Sequence, residues 1–307
     1  MSALSTASTG RRRSTSARRN ARTGVAFFLP FVVVFIVAIL APLGYALYLS
    51  LYREQIIGGT TFVWFENYVR AITDPQLLSG LLHVLGFMAI QIPIMLIVSL
   101  GVALILDSRR LVGMAFFRLA IFLPYAIPGV VAALMWGYIY GDQFGLFGQF
   151  FHWLGLAAPD VLSTHSVLGA LANISIWQYT GYNMLIFFAA LQGVPEEVYE
   201  AAKLDGAGEF RKAWSIKLPA IRPAIGLAVL FSVIGGVQLF TEPSILQALA
   251  PTTITSGYTP NLYMFNLAIR GNDYNYSAAV AVTLGVLTII AVVITQLVIR
   301  RFSKEEQ

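Results

Sequence analysis

The sequence predicts an all-α membrane protein of six transmembrane helices that carries one structured cytoplasmic loop. Three observations point there. Of the 307 residues, 57% are hydrophobic and only 11% are charged, against roughly 45–50% and 25% in a soluble domain. Several apolar runs exceed the roughly 18 to 20 residues that cross a bilayer core. Lys and Arg are then unevenly shared, seventeen on one side of the spans and three on the other. Basic residues accumulate in cytoplasmic loops, so the rich side is the cytoplasm and both termini lie in it. A soluble enzyme is excluded. The net charge of +5 is a topology signal here, and no nucleic-acid partner is expected.

The first 24 residues are rich in Ser, Thr and Arg. They have little apolar surface to bury, so disorder is the expectation. An Arg-rich start before an apolar run could also be a signal peptide. Signal cores run about 7–15 residues, whereas the first predicted span covers 25–51 with no clear cleavage site after it. A retained helix is favoured. The remaining spans are 81–106, 119–140, 167–191, 224–249 and 278–299, within a membrane domain of 25–299 and before a cytoplasmic tail of 300–307.

Between the first two spans, Phe62 to Tyr68 holds aromatics suited to an element at the headgroup level. The second span should bend at Pro93, which lacks a backbone donor. In the third, Gly129, Ala133 and Gly137 stand four apart and make one smooth helix face. Packing within the subunit is the favoured use of that face over a subunit interface.

The loop 192–222 reads as two short helices around a turn. Pro195 suits a first helical position, and Glu196 and Glu197 follow where carboxylates favour the helix dipole. Asp205-Gly206 signals a turn, because glycine accepts angles closed to other residues. A second helix is expected over 208–217, with Phe210, Ala213 and Trp214 on one face, closed by Leu218-Pro219. A helix this short gains its order from packing, here in a groove on a partner or as a cap on the bundle.

The spacing of Glu200, Ala201, Ala202, Asp205, Gly206, Ile216, Leu218 and Pro219 resembles the coupling loop of bacterial ABC importer permeases. Arg118 to Trp136, Gly145-Leu146-Phe147, Ile176-Trp177, Ala190 to Pro195 and Tyr276-Ser277-Ala278 are similar to the carbohydrate group, of maltose and glycerol-3-phosphate type. Three places depart: Gly208 adds freedom after the turn, Ala213 replaces a larger aromatic, and Leu246 to Thr252 lacks a Thr-x-Gly-Gly-Pro stretch. The resemblance implies a type I ABC importer permease fold in a bacterial cytoplasmic membrane. It implies that those eight loop residues couple to an ATPase. The implied partners are a second permease subunit, an ATP-binding subunit dimer, an extracellular solute-binding protein and a sugar. ATP and Mg would act on the ATPase, with no cofactor in this chain.

The residues themselves offer no catalytic group. No Gly-x4-Gly-Lys-Ser/Thr is present to cradle nucleotide phosphates. There is no cysteine, and His83, His152 and His165 have no metal-like spacing. Polar residues inside the spans are the site candidates. At about 1.5 Å of rise per residue, Asn183 lies roughly 12 Å deep, Tyr179 roughly 18 Å, Gln238 roughly 21 Å and Gln91 roughly 22 Å. These neutral groups suit an uncharged polyhydroxylated solute, or alternatively hydrogen bonds between helices. Glu242, roughly 27 Å from the inner end, is expected at a watery outer mouth, on a helix face shared with Gln238. The competing readings are an ion-coupled secondary transporter, a scaffold that recruits a cytosolic partner, and import of glycerol-3-phosphate or another small polar solute.

Overall fold

A computed structural model describes residues 13–304 except 56, 109–112 and 142–143, with side chains described within 24–301. The architecture is helical. The first long rod is α1 (Arg13–Phe35), a π-helical turn (Ile36–Leu40) and α2 (Ala41–Ser50). It begins at Arg13, inside the tail expected to be disordered to residue 24, while residues 1–12 of that expectation lie outside the described residues. Extending an existing helix costs far less than nucleating one.

A hairpin of β1 (Tyr52–Gln55) and β2 (Gly59–Phe62) follows, paired antiparallel with Tyr52 opposite Phe62. Gly58 and Gly59 supply its positive φ values of 116° and 72°. Next come α3 (Glu66–Thr73) and α4 (Pro75–Asp107), the latter capped by Asp74 and running unbroken through Pro93.

The third predicted span is not one straight rod. It is α5 (Met114–Phe122), a 3-10 turn (Leu123–Ala126) and α6 (Gly129–Ile139), with a bend of 96° between its halves. Pro128 forces the break, because a residue before proline is pushed out of the helical region, and Ile127 is extended at ψ 128°. Then come α7 (Leu146–Trp153) and α8 (Val167–Leu191).

The loop region holds α9 (Glu196–Leu204), α10 (Glu209–Lys212), a π-helical turn (Ala213–Lys217) and α11 (Leu218–Ala220). Pro195 caps α9 rather than opening it, and the second helical stretch runs past Pro219 instead of stopping there. The last elements are α12 (Arg222–Val237), α13 (Thr241–Leu246), α14 (Pro260–Ile269) and α15 (Tyr274–Lys304). The fifth predicted span is therefore interrupted at 238–240. Pro243 cannot donate to the carbonyl of Leu239, and Gly235-Gly236 weaken the helix just before the gap.

Among the described residues, four helical stretches are long and apolar enough to cross a membrane, or five if the bent pair counts as one. α8 is not among them, although its 25 residues rise about 37 Å.

The centre of the molecule is the α4–α8 pair, its most extensive helix contact. Phe87, Leu171 and Ile174 join one buried cluster around it, and Ala103, Leu106, Phe187 and Leu191 join another nearer the loop. α5 crosses α8 at Gly181, where a Cβ would fall on the Ile121 carbonyl. The small-residue face of α6 packs within the subunit. A Cβ on Gly137 would lie 2.7 Å from Leu249 and 3.0 Å from Leu246, and one on Gly129 would lie 3.6 Å from Thr241.

Outside the spans, Asp74 Oδ2 accepts from the Tyr263 and Tyr276 hydroxyls, each at 2.6 Å. Burial acts to raise the Asp74 carboxyl. These two hydrogen bonds and the Gln76 and Leu77 amides outweigh it and hold the group below the usual range.

Candidate functional site

The bend between α5 and α6 and the break after α12 border one cavity of about 390 Å³. α4 contributes Gln91, α8 contributes Tyr179 and Asn183, the interruption after α12 contributes Gln238, and α13 contributes Glu242. All five membrane candidates from the sequence thus line the same space.

Their roles differ in detail. Asn183 Nδ2 donates to the Tyr179 carbonyl at 3.0 Å and approaches Met95 Sδ at 3.4 Å, while Gln91 Nε2 donates to Met95 Sδ at 3.0 Å. Both amides spend donors on weak or local acceptors, because sulfur is a poor partner. Tyr179 is 40% exposed on the isolated chain, and Gln238 is also exposed.

Two placements differ from the sequence reading. Gln238 and Glu242 do not share a helix face, since the interruption falls between them. Glu242, expected near a watery outer mouth, is largely buried. It is 7% exposed and lines the cavity with the others.

The cavity wall holds aromatics that no span-by-span reading finds. Tyr125 stacks on Tyr182 with centroids 4.7 Å apart and meets Tyr179 edge-on at 5.9 Å. Phe87, Phe231 and Phe240 complete the apolar part, and Ser175 and Thr241 add hydroxyls. The only available signal was the 3-residue spacing of Tyr179 and Tyr182 on α8, which puts them on neighbouring positions of one face. Tyr125 lies in the Pro124–Pro128 segment, whose fold brings it back against α8. Among the described residues of the lining, Glu242 carries the only charge. No group of three His, Asp or Glu side chains is placed to hold a metal among the described residues. His83 is used otherwise, stacked on Tyr258 at 4.3 Å with Nδ1 3.0 Å from its carbonyl.

The loop forms a second candidate surface. Glu200, Ala201 and Ala202 lie on α9, which ends in a Schellman turn. Gly206 sits at φ 75°, its amide donates to the Lys203 carbonyl at 3.1 Å, and the Ala207 amide donates to the Ala202 carbonyl at 2.9 Å. Asp205 is the last residue before that glycine, and Ile216, Leu218 and Pro219 follow on the return arm. Leu204, Phe210 and Trp214 are 90%, 83% and 67% exposed, an apolar surface left open beside the turn. Tyr199 faces inward, and burial, then the Asp107 charge, push its phenol up.

With the fold and both surfaces described, the chain can be set beside known proteins. Residues 7–304 match the family described as binding-protein-dependent transport system inner membrane component, and the chain belongs to that family. It is the permease component of an ABC importer rather than an enzyme. The diacetylchitobiose uptake system permease protein NgcF of Streptomyces coelicolor is 30% identical over 97% of this chain and 91% of its own length. The trehalose/maltose transport system permease protein MalF of Thermococcus litoralis is 29% identical over 94% and 96%. The arabinooligosaccharides transport system permease protein AraP of Halalkalibacterium halodurans is 31% identical over 91% and 88%. A chain of the bacterial alginate ABC transporter, solved with an alginate pentasaccharide-bound periplasmic protein, superposes with a TM-score of 0.83. It is 19% identical, with 95% of this chain and 99% of that chain covered, and shares the fold.

Proposed function

We propose that this permease forms, with a second permease subunit, the translocation path for a neutral oligosaccharide delivered by an extracellular binding protein. The cavity carries the reading. Its amides and hydroxyls offer donors and acceptors without a cation, and its tyrosines offer flat faces for the C–H surfaces of pyranose rings. Three relatives named for the transport of sugars support the same class. A phosphate monoester fits worse, since the one charge in the lining is the carboxylate of Glu242. An ion-coupled carrier would call for paired intramembrane carboxylates, and the described lining holds one.

In this reading α8 is the fourth of six spans, and loop 192–222 faces the cytoplasm of a bacterial cell. Glu200, Ala201, Ala202, Asp205 and Gly206 present α9 to an ATP-binding subunit dimer, with Ile216, Leu218 and Pro219 bracing it. The open apolar surface of Leu204, Phe210 and Trp214 is what such a partner would cover. ATP and Mg belong to that partner. Uptake of labelled oligosaccharides into vesicles tests the reading. It should require ATP and the binding protein, and uptake driven by an ion gradient alone would overturn it.

A further inference from the structure

A buried carboxylate lies where the loop leaves and rejoins the membrane helices. Asp107, the last residue of α4, divides its two oxygens. Oδ2 takes the Lys217 ammonium at 2.6 Å, and Oδ1 accepts from Gln192 Nε2 at 2.8 Å. The side chains of Asp107 and Lys217 are each 8% exposed. Gln192 ends α8 and opens the loop, whereas Lys217 stands just before Leu218-Pro219 on the return arm. One carboxylate therefore fastens both arms of the loop to a third element.

The Lys217 ammonium also lies 5.4 Å from the ring centre of Tyr199, in the middle of α9. Above this point, Ala103 and Leu106 of α4, Leu191 of α8 and Ile221 form a continuous buried cluster. The same two helices carry Gln91 and Asn183 into the cavity.

We propose that Asp107 and Lys217 are the positioning residues of coupling: a clamp that makes α9 move as one body with α4 and α8. This rests on the reading that loop 192–222 docks on the ATPase. A hydrophobic contact between loop and helices can slide. A paired charge in a dry site cannot separate without stranding a buried ion, so displacement of α9 is passed to α4 rather than absorbed in the loop.

The clamp separates from mere stability because two charges can be removed together. Replacing both members of a buried pair by apolar groups of similar size is often neutral or stabilising. The double variant Asp107→Leu/Lys217→Met should therefore assemble with its partner subunits and keep its thermal midpoint. The reporter is a single cysteine at Ser232 in the cavity wall of a chain with no native cysteine, labelled with N-ethylmaleimide in the purified complex in lipid nanodiscs. With an intact clamp, ATP plus vanadate changes the labelling rate. In the double variant that change should shrink, by about 5- to 150-fold if coupling has the usual size, while vanadate is still trapped on the ATPase.

An undiminished ATP-dependent change in the double variant would overturn the clamp, and failure of that variant to assemble would make the pair structural and overturn it too. The docking reading fails separately. It is lost if Gly206→Val, with the clamp intact, keeps both its ATPase and its ATP-dependent labelling.

Discussion

Gly206 offers the sharpest test of the loop, because its geometry isolates backbone conformation from packing. Its φ is 75°, and a Cβ built there would meet nothing within 4 Å. Within this chain a valine therefore has room, and its cost there is conformational. Holding an L-residue in the left-handed region costs roughly 1–2 kcal/mol, and strained positions in general about 1–3 kcal/mol. A β-branched residue belongs at the upper end. If α9 relieves the strain by unwinding, it gives up the Gly206 and Ala207 bonds of 3.1 and 2.9 Å that close its end. Either way the docked form of α9 loses stability relative to a frayed one. Affinity for the ATPase should fall by about 5- to 150-fold, the equivalent of 1–3 kcal/mol. Titrating the purified ATP-binding subunit against nanodisc-embedded permease measures this, with ATP-dependent uptake alongside. Gly206→Asn should lose far less, since asparagine visits this region readily. Gly208→Ala should be silent, at φ −68° with nothing near its Cβ. Unchanged affinity and uptake in Gly206→Val would refute the turn as a docking determinant.

Other expectations concern the cavity, the helix crossing, the topology and the Asp74 cluster. Asn183→Leu should weaken uptake roughly 5- to 200-fold if a solute uses its amide, the range of an unmade buried hydrogen bond. A fall in thermal midpoint of the complex, with uptake per complex unchanged, would remove Asn183 from the path. Gly181→Ala drives a methyl into the Ile121 carbonyl, so it should lower the midpoint by the equivalent of about 1–3 kcal/mol or more. An unchanged midpoint would argue against the close crossing of α5 and α8. A cysteine at Gly206 should label only from the cytoplasm and one at Thr164 only from outside, and the reverse pattern would overturn the orientation. Asp74 is held below its unfolded value, which is near 3.9 for a carboxyl. Its contribution is complete above that value and is lost as pH falls through the lower folded one. Hydrogen exchange around 66–77 should rise only in that acid range. A rise beginning near neutral pH, or the same acid step in Asp74→Asn, would refute the assignment.

The sequence was most legible where local chemistry decides structure. The ends of α8 follow from its polarity change, and the turn at Gly206 follows from what glycine alone tolerates. Only Pro93 was read as a bend, and no break was expected at Pro128. Pro93 is absorbed within α4, whereas Pro128 helps turn α5 and α6 through 96°. Whether a proline bends or breaks a helix depends on what packs across the gap, and no local pattern states that. The burial of Glu242 was missed for a related reason, because a helix face counted along a rod does not continue beyond an interruption. The Asp107–Lys217 pair was invisible. Its members lie 110 residues apart, and each alone looks like an ordinary charge at a membrane boundary.

Among the long helices, the extremes of apolar character and burial are opposed, and that contrast separates the most exposed rod from the helix at the centre of the cavity wall. The stretch Gly24–Ser50 is long and apolar enough to span, yet none of its most apolar part is buried. α8 falls short of that apolar character, yet thirteen of its 25 residues are buried, among them Ser175, Gln178, Thr180 and Asn183. In a soluble protein such a polar helix would face water. Here polar groups at depth are costly against lipid, so the least apolar long helix is driven to the centre, against α4. In the proposed function, that position is where the solute's path runs. The property that lowers α8's claim to be a membrane span is thus the one that fits it to line the cavity.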